Sequence, residues 1–212
     1  MEIFKNKANI LWDFDGVIID SMSIRGEGFK EVLSHYPNST VEELLEYHNK
    51  NGGLSRYVKF RYFIKEILGE SVNEEMIQDF AASYSKIMRT KLTSKRLLNV
   101  NVLDFIKSNQ KKFKMHIVSG SDGKELRFLC KKLEIREYFK SIEGSPTPKT
   151  KLVSELITQY NYASDETCLI GDSINDYDAA KENQIDFYAY NNEELRLKCH
   201  TYIDEFTTEK SF

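Results

Sequence analysis

The sequence lacks several features that would place it in a specialised class of protein. It has only three prolines and three cysteines in 212 residues, and Cys130, Cys168 and Cys199 lie far apart and form no CxxC pair. An odd number of cysteines cannot all pair within one chain, so we expect reduced cysteines that pack as small residues in a cytoplasmic protein. No motif marks any of them as a catalytic thiol.

Long apolar runs and an excess of basic residues are also missing. No apolar run reaches the roughly 18 residues of a membrane-spanning helix, and the first residues lack the apolar region of a signal peptide. The net charge is −3, and the mixed signs offer no broad basic surface, so we expect no nucleic-acid partner. The length allows one large domain, with or without a small insert.

The most informative stretch runs from Asn9 to Val17. It begins as an apolar run, places Asp13 and Asp15 two residues apart, and breaks at Gly16. This pattern predicts a buried parallel strand that ends in a turn. Two carboxylates crowded there repel each other unless a cation or a proton lies between them, and Mg²⁺ prefers oxygen ligands. The pair alone is equally compatible with a solvated turn.

Beyond this stretch, strand and helix patterns alternate, with one interruption. Residues 21–95, here called the helical block, show helical periodicity and no strand signal. Within the helical block, Thr40 is predicted to cap one helix, with Glu43 three residues later, and Asn73 to begin another that ends near Leu92. Further strands are predicted over 113–118, 167–170 and 185–190, a loop after Ile142, and a short helix near 193–199. The alternation predicts an α/β fold, a parallel sheet with helices on both faces.

Polar residues follow three of the predicted strands. Asp13 follows the first, Ser119 ends the second, and Asp172 follows the strand that ends at Gly171. Because the carboxyl ends of parallel strands share one edge of the sheet, we expect these three side chains to converge.

Four motifs, in this order, resemble those of the haloacid dehalogenase superfamily of phosphotransferases. They are Asp13-Phe14-Asp15-Gly16-Val17, the strand-ending Ser119, a lysine after Gly144-Ser145-Pro146-Thr147-Pro148, and Gly171-Asp172-Ser173-Ile174-Asn175-Asp176. The resemblance covers nearly the whole chain and is strongest to phosphoglycolate phosphatases and β-phosphoglucomutases. It implies a Rossmann-like core over residues 1–20 and 96–212, and a small all-α cap over residues 21–95, inserted after the first strand.

The resemblance also implies a role for each motif residue. Asp13 would attack phosphorus and form an aspartyl-phosphate, while Asp15 would protonate the leaving alkoxide and then deprotonate the attacking water. Mg²⁺ would be held by the Asp13 carboxylate, the Asp15 backbone carbonyl and Asp172.

The phosphoryl oxygens would be held by other residues of the same motifs. The Ser119 hydroxyl and nearby backbone N–H groups, including that of Gly120, would bind them, and Lys149 would add a positive charge.

Several residues keep two interpretations. Lys149 is favoured as the motif lysine over Lys151, although the Pro-Thr-Pro run departs from the commoner Lys-Pro arrangement. Asp176 would either ligate the metal, through a water, or orient its neighbours. Arg56, in a loop similar to the substrate loop of β-phosphoglucomutases, and Arg25 would either bind a second anionic group of the substrate or lie on a helix surface.

The function predicted from these residues is a Mg²⁺-dependent phosphatase acting on a small phosphorylated metabolite such as a sugar phosphate. The alternative is a phosphomutase that grips a bisphosphate through Arg56. A dehalogenase does not need Asp15 or Mg²⁺, and a phosphonate hydrolase needs a cap lysine that no motif marks. A non-catalytic binding protein on the same fold is disfavoured by the intact motifs. A monomer and a homodimer are both compatible with the sequence, and no membrane partner is expected.

Overall fold

A six-stranded parallel sheet forms the centre of the molecule. The structure is a computed structural model that describes residues 2–206. The sheet has the order β3-β2-β1-β4-β5-β6. The strands are β1 Asn9–Trp12, β2 Lys114–Asp122, β3 Ser141–Ser145, β4 Thr167–Gly171, β5 Asp186–Tyr190 and β6 Thr201–Ile203. The helices are α1 Met22–Val32, α2 Asn38–Lys50, α3 Arg56–Tyr62, α4 Glu74–Lys91, α5 Val100–Asn109, α6 Gly123–Lys132, α7 Lys149–Tyr160 and α8 Ile174–Glu182.

Strand β1 lies in the middle of this sheet, where the direction of winding reverses. The strand order runs 3-2-1 on one side and 4-5-6 on the other, so β1 pairs with both β2 and β4. In open α/β sheets, the crevice at such a reversal is the usual place for a ligand. The fold therefore puts the end of β1 at the expected binding position.

The alternation of side chains along β1 explains why helices cover both faces. Ile10 and Trp12 point into one apolar cluster, and Leu11 points into another, all with no exposed surface. The first cluster also contains α5, α6 and the buried side chains of the helical block, and the second contains α7 and α8. The predicted α/β class, with helices on both faces, is confirmed.

Between β1 and β2 the described chain forms helices α1 to α5 and no strand of the sheet, and α1 to α4 make up the helical block. Asn73 starts α4 as predicted, because its side chain accepts hydrogen bonds from Glu75 N and Met76 N. Helix α3 continues into one π-helical turn, Phe63–Ile67, before Gly69 takes a positive φ of 68°. The boundaries of a separate cap at residues 20–21 and 95–96 stay a prediction, and residues 1 and 207–212 of the predicted core lie outside the described part.

Three local predictions are wrong. Ile142 does not precede a loop but lies inside β3, because it pairs with Ile117 of β2. The stretch near 193–199 is a short 3₁₀ turn, Glu193–Leu195, followed by β6. Both strands are short and lie at the edges of the sheet, where pairing partners rather than local patterns decide the structure. Helix α2 begins at Asn38 and not after Thr40. Within residues 2–206, no helix is both long and apolar enough to cross a membrane.

Candidate active site at the end of the central strand

The register of the sheet brings the polar strand ends together. Trp12, the last residue of β1, is level with Ile117 on β2 and with Ile170 on β4. Asp13 therefore lies at the same edge as Ser119 and Asp172, each two residues beyond the partner of Trp12. The expected convergence of these three residues is what the structure shows.

The turn after β1 depends on a glycine. Gly16 has a φ of +75°, and a Cβ built on it would lie 1.9 Å from Asp172 Oδ2. Any side chain at this position would collide with the carboxylate and also strain the backbone. Gly16 thus allows the first turn to approach Asp172 closely.

Three acidic residues form a compact group at this edge. Asp13, Asp172 and Asp176 each offer a carboxylate oxygen, and these oxygens lie within 4.8 Å of one another. Burial, and then the neighbouring Asp176, raise the pKa of Asp13 to about 7, against the opposing effect of Lys149. Burial and the charge of Asp13 also raise the pKa of Asp172 well above its usual range. A group of oxygen ligands that repel one another in this way suits a hard divalent cation such as Mg²⁺.

Asp176 has its oxygens occupied by protein donors. One accepts a hydrogen bond from Lys149 Nζ, and the other accepts from Ser173 N at 3.0 Å and Ser173 Oγ at 2.6 Å. Asp176 also closes a reciprocal capping box at the start of α8. These contacts favour the interpretation of Asp176 as an orienting residue.

Of the two competing lysines, only Lys149 reaches the acidic group. It starts α7, is 7% exposed, and places Nζ 2.9 Å from Asp13 Oδ1. Lys151 points outward near Glu155, with 68% of its side chain exposed. The difference follows from helical geometry, since residues two apart lie on nearly opposite faces.

Ser119 and Gly120 belong to the last part of β2. Ser119 is buried, and its Oγ accepts a hydrogen bond from the backbone N–H of Ser121 at 3.1 Å. Both residues line a cavity that also contains Asp13 and Asp172. Their predicted proximity to Asp13 agrees with the structure.

Asp15 is surrounded by hydrogen-bond donors. It accepts from Ser21 Oγ at 2.5 Å, from Ser121 Oγ at 2.6 Å, and from Arg25 Nε and Nη2 at 2.9 and 3.2 Å. Burial alone would raise the pKa of Asp15, but the Arg25 charge and these hydrogen bonds lower it to about 2. Asp15 is therefore an anion in this arrangement.

Arg25 and Arg56 both line the cavity, yet their guanidinium groups are engaged within the protein. Arg25 Nη1 donates to Glu125 Oε1 at 2.5 Å, and Arg56 donates to both oxygens of Glu125 at 2.6 and 2.9 Å. Arg56 also stacks over the Tyr84 ring, 4.5 Å from its centroid. Glu125, from α6, is fully buried and joins the two arginines of the helical block to the sheet domain.

A buried lysine and a histidine complete the cavity wall. Lys59 Nζ lies 2.8 Å from His48 Nδ1 and 3.2 Å from the carbonyl of Gly52. Each of the two side chains is 2% exposed. Burial lowers the pKa of Lys59 to about 7, and burial together with the Lys59 charge lowers the pKa of His48 to about 3.

The sequence alone does not mark Glu125, Lys59 or His48 as site residues. The sequence signal that could have identified Lys59 and Glu125 is helical periodicity. Lys59 shares the helical spacing of Phe60 and Phe63, and Glu125 shares that of Leu126 and Leu129, all buried. A charged residue on an apolar helix face must have a buried partner, which is a reason to examine it.

The cavity is small, about 30 Å³, which is enough for one or two water molecules. A groove of about 670 Å³ next to it shares Met22, Gly52 and Asp172 with the cavity. The loop between α2 and α3 separates the two spaces and packs on the sheet edge. A Cβ on Gly120 would lie 2.2 Å from the carbonyl oxygen of Gly53 in that loop. The structure is thus a closed form, and any larger ligand requires the loop to withdraw.

Comparisons with known proteins agree with this geometry. The family model described as "Haloacid dehalogenase-like hydrolase" matches residues 10–190. No curated protein matches the sequence.

Solved structures with the same fold cover almost the entire chain. A β-phosphoglucomutase from Clostridium difficile has a TM-score of 0.74 at 16% identity and covers 94% of this chain and 92% of its own. CbbY from Rhodobacter sphaeroides, in complex with phosphate, has a TM-score of 0.73 at 14% identity, with 94% and 95% covered. The hydrolase YfnB from Bacillus subtilis, bound to magnesium, has a TM-score of 0.68 at 14% identity, with 94% and 95% covered.

Proposed function

Since this chain belongs to the haloacid dehalogenase-like hydrolase family, we propose that it is a Mg²⁺-dependent phosphatase of small phosphorylated metabolites. The observation that carries the proposal is the position of Asp13. Its Oδ1 lies 2.9 Å from Lys149 Nζ, within the group of acidic residues at the end of the central strand. A buried carboxylate next to a cation site and a lysine is equipped to attack an anionic phosphoryl group.

The acidic residues fit a divalent cation by their chemistry. Asp13 and Asp172 would hold Mg²⁺ through carboxylate oxygens and Asp15 through its backbone carbonyl, while Asp176 would keep Lys149 and Ser173 in place. When bound, Mg²⁺ would neutralise the mutually repelling carboxylates and withdraw charge from the phosphoryl oxygens. The magnesium bound to the Bacillus subtilis relative and the phosphate bound to CbbY support this proposal.

Each of the site residues would then have its own role in the reaction. Asp13 attacks phosphorus and forms an aspartyl-phosphate, while Lys149, the Ser119 hydroxyl and the Gly120 N–H bind the phosphoryl oxygens. In the closed form Asp15 is an anion, so it can accept a proton from the water that hydrolyses the intermediate. To protonate the leaving alkoxide first, the Asp15 carboxylate must take up a proton away from Arg25.

A phosphomutase is the second candidate, supported by the likeness to β-phosphoglucomutase. That reaction needs a positively charged side chain, not paired with a carboxylate of the protein, to hold the second phosphate of a bisphosphate. Arg56, the residue at the expected position, is paired with Glu125 at 2.6 Å. Hydrolysis therefore fits this chain better. The proposal includes a cytoplasmic location, with a monomer and a homodimer both acceptable.

The proposal is tested by measuring phosphate release from a panel of phosphorylated metabolites and from p-nitrophenyl phosphate. We expect release in Mg²⁺, loss of release in excess EDTA, and recovery when Mg²⁺ is added back. A folded protein that releases no phosphate from any substrate would contradict the proposal. Isomer formation without net phosphate release would favour the mutase.

The close contact between Gly120 and the loop that joins α2 and α3 gives a further prediction. In Gly120→Ala, the new Cβ would meet Gly53 O, which is backbone and cannot rotate away. The loop must shift by about 1 Å to relieve this contact, and a misplacement of about 1 Å near the reacting atoms lowers kcat/KM by roughly 100-fold. The control is Gly26→Ala in α1, where a Cβ would meet Leu45 Cδ2 at 3.9 Å and, apart from the local helix backbone, no other atom of residues 2–206 within 4 Å. Gly26→Ala should keep full activity, and equal kcat/KM for both variants would contradict the proposed closure.

A further inference from the structure

Four charged side chains connect the end of β1 to α6 by way of the helical block. They are Asp15, Arg25, Glu125 and Arg56, here called the charge cluster, and they alternate in sign along a line of contacts. Arg25 donates hydrogen bonds to Asp15 through Nε and Nη2 and to Glu125 through Nη1, and Arg56 donates to Glu125 through Nη1 and Nη2. Two positive and two negative groups make the charge cluster neutral.

Glu125 is fixed in place by the start of α6. Its backbone N–H donates to the Asp122 side chain at 2.9 Å, which caps α6 directly after β2, and its own side chain is fully buried. Ser121, four residues earlier, donates its hydroxyl to Asp15 Oδ2 at 2.6 Å. This segment of the chain therefore contacts Asp15 twice, directly through Ser121 and indirectly through Glu125 and Arg25.

Position 125 requires a carboxylate. The two oxygens of Glu125 accept three hydrogen bonds of 2.5, 2.6 and 2.9 Å from the two arginines. An amide offers one oxygen and two N–H donors, so in Glu125→Gln an N–H group would face a guanidinium group. The charge cluster would also hold two positive charges and one negative charge away from solvent, and an unpaired buried charge is strongly destabilising. Arg25 or Arg56 must then leave its present position.

A displacement of Arg25 also moves Asp15. Arg25 binds both carboxylate oxygens of Asp15, at 2.9 and 3.2 Å. Only 5% of the Arg25 side chain is exposed, so solvent has little access to replace these hydrogen bonds. A general base must lie within hydrogen-bond distance of the proton that it accepts. The place of the Asp15 carboxylate therefore decides whether an attacking water is deprotonated.

We propose that Glu125 is a positioning residue for the hydrolysis of the aspartyl-phosphate. Acting through Arg25, it holds the Asp15 carboxylate where the attacking water binds, and Arg56 completes the charge balance. In that step the water oxygen bonds to phosphorus, its proton passes to Asp15, and the bond between phosphorus and Asp13 breaks. This inference rests on the proposed phosphatase function and assigns a role to a residue outside the four motifs.

The test uses p-nitrophenyl phosphate, which separates the two halves of the reaction because p-nitrophenolate leaves without a proton. Its release is followed through the first turnover and at steady state. In Glu125→Gln, we expect kcat to fall about 100-fold, a usual contribution of a positioned base, while kcat/KM, which reports formation of the aspartyl-phosphate, changes by no more than about threefold. A burst of p-nitrophenolate equal to the amount of protein should precede the slow steady state.

Two further variants separate the charge balance from a general loss of structure. Combining Glu125→Gln with Arg56→Met makes the charge cluster neutral again and leaves the amide oxygen free to accept from Arg25, so most of the lost kcat should return. Glu134→Gln is the matched control, because Glu134 pairs with Lys95 while 71% of its side chain is exposed. It should keep the kcat and the kcat/KM of the parent.

Equal losses of kcat and kcat/KM in Glu125→Gln, or no loss of kcat, would overturn the inference, as would a double variant that recovers nothing. Glu125→Asp keeps the charge but shortens the side chain by one methylene, so kcat should again fall more than kcat/KM. This variant decides the question if Glu125→Gln does not fold, and equal losses of both constants in it overturn the inference as well. A parent protein that releases no p-nitrophenolate contradicts the phosphatase proposal instead.

Discussion

Asp13→Asn is expected to reduce turnover by roughly 10⁴- to 10⁶-fold, the range typical of a lost covalent nucleophile. The amide has the size and shape of the carboxylate but does not attack phosphorus. Lys149 and Asp176 keep their mutual contact, so the surrounding residues should stay in place. The measurement is kcat for the best substrate of the panel, with phosphate release followed for hours.

The matched control is Asp178→Asn on α8, where the acidic residue is exposed. It should retain kcat within about twofold, since surface substitutions away from special features are nearly neutral. An Asp13→Asn protein with kcat close to that of the parent would refute the assignment of the nucleophile.

The same variant should be more stable than the parent in metal-free buffer at high pH. The pKa of Asp13 is raised by burial from 3.8 to about 7. Between these values the folded protein holds a proton that the unfolded chain has released, so its stability falls as the pH rises. Asparagine removes this charge. We expect a gain in the free energy of unfolding on the order of 1–3 kcal/mol at pH 8 and little gain near pH 4.5.

Urea unfolding in the presence of a chelator measures this difference, and Asp178→Asn again serves as the reference. Mg²⁺ should reverse the order of stability at pH 8, because it stabilises only a protein that binds it, by about 4.1 kcal/mol at 1,000 times its Kd. A gain that does not change with pH would show that the Asp13 charge is not the cause.

Lys149→Met is expected to lower kcat/KM by about 10²- to 10³-fold, the usual cost of removing one group that stabilises transition-state charge. Lys149 contacts Asp13 at 2.9 Å, so the substitution also removes the ion pair between the lysine and the nucleophile. Lys151→Met is the matched control. It removes the same charge two residues away, from a side chain that is 68% exposed.

Comparable losses in the two lysine variants would contradict the position given to Lys149. Thermal unfolding of both proteins should accompany the kinetics, since Lys149 is buried and also holds Asp176. A loss of kcat/KM in Lys149→Met without a loss of fold locates the effect at the site.

The convergence of Asp13, Ser119 and Asp172 was predictable because it needs only three strands and their direction. Apolar runs identify buried parallel strands, and parallel strands end at a common edge. The short edge strands β3 and β6 were not predictable, since their few residues become strands through pairing with a neighbour. The choice between Lys149 and Lys151 needed the orientation of α7 relative to β1.

The class of fold and the chemical groups at the end of the central strand follow from the sequence alone, because local periodicity and motif spacing specify both. The pairing of the buried charges depends instead on tertiary packing. Glu125 pairs with Arg25 and Arg56 across about 70 to 100 residues of sequence, and within residues 2–206 Lys59 has no carboxylate partner. A partner at that separation is set by how α1, α3 and α6 pack together, and no local pattern in the sequence records it.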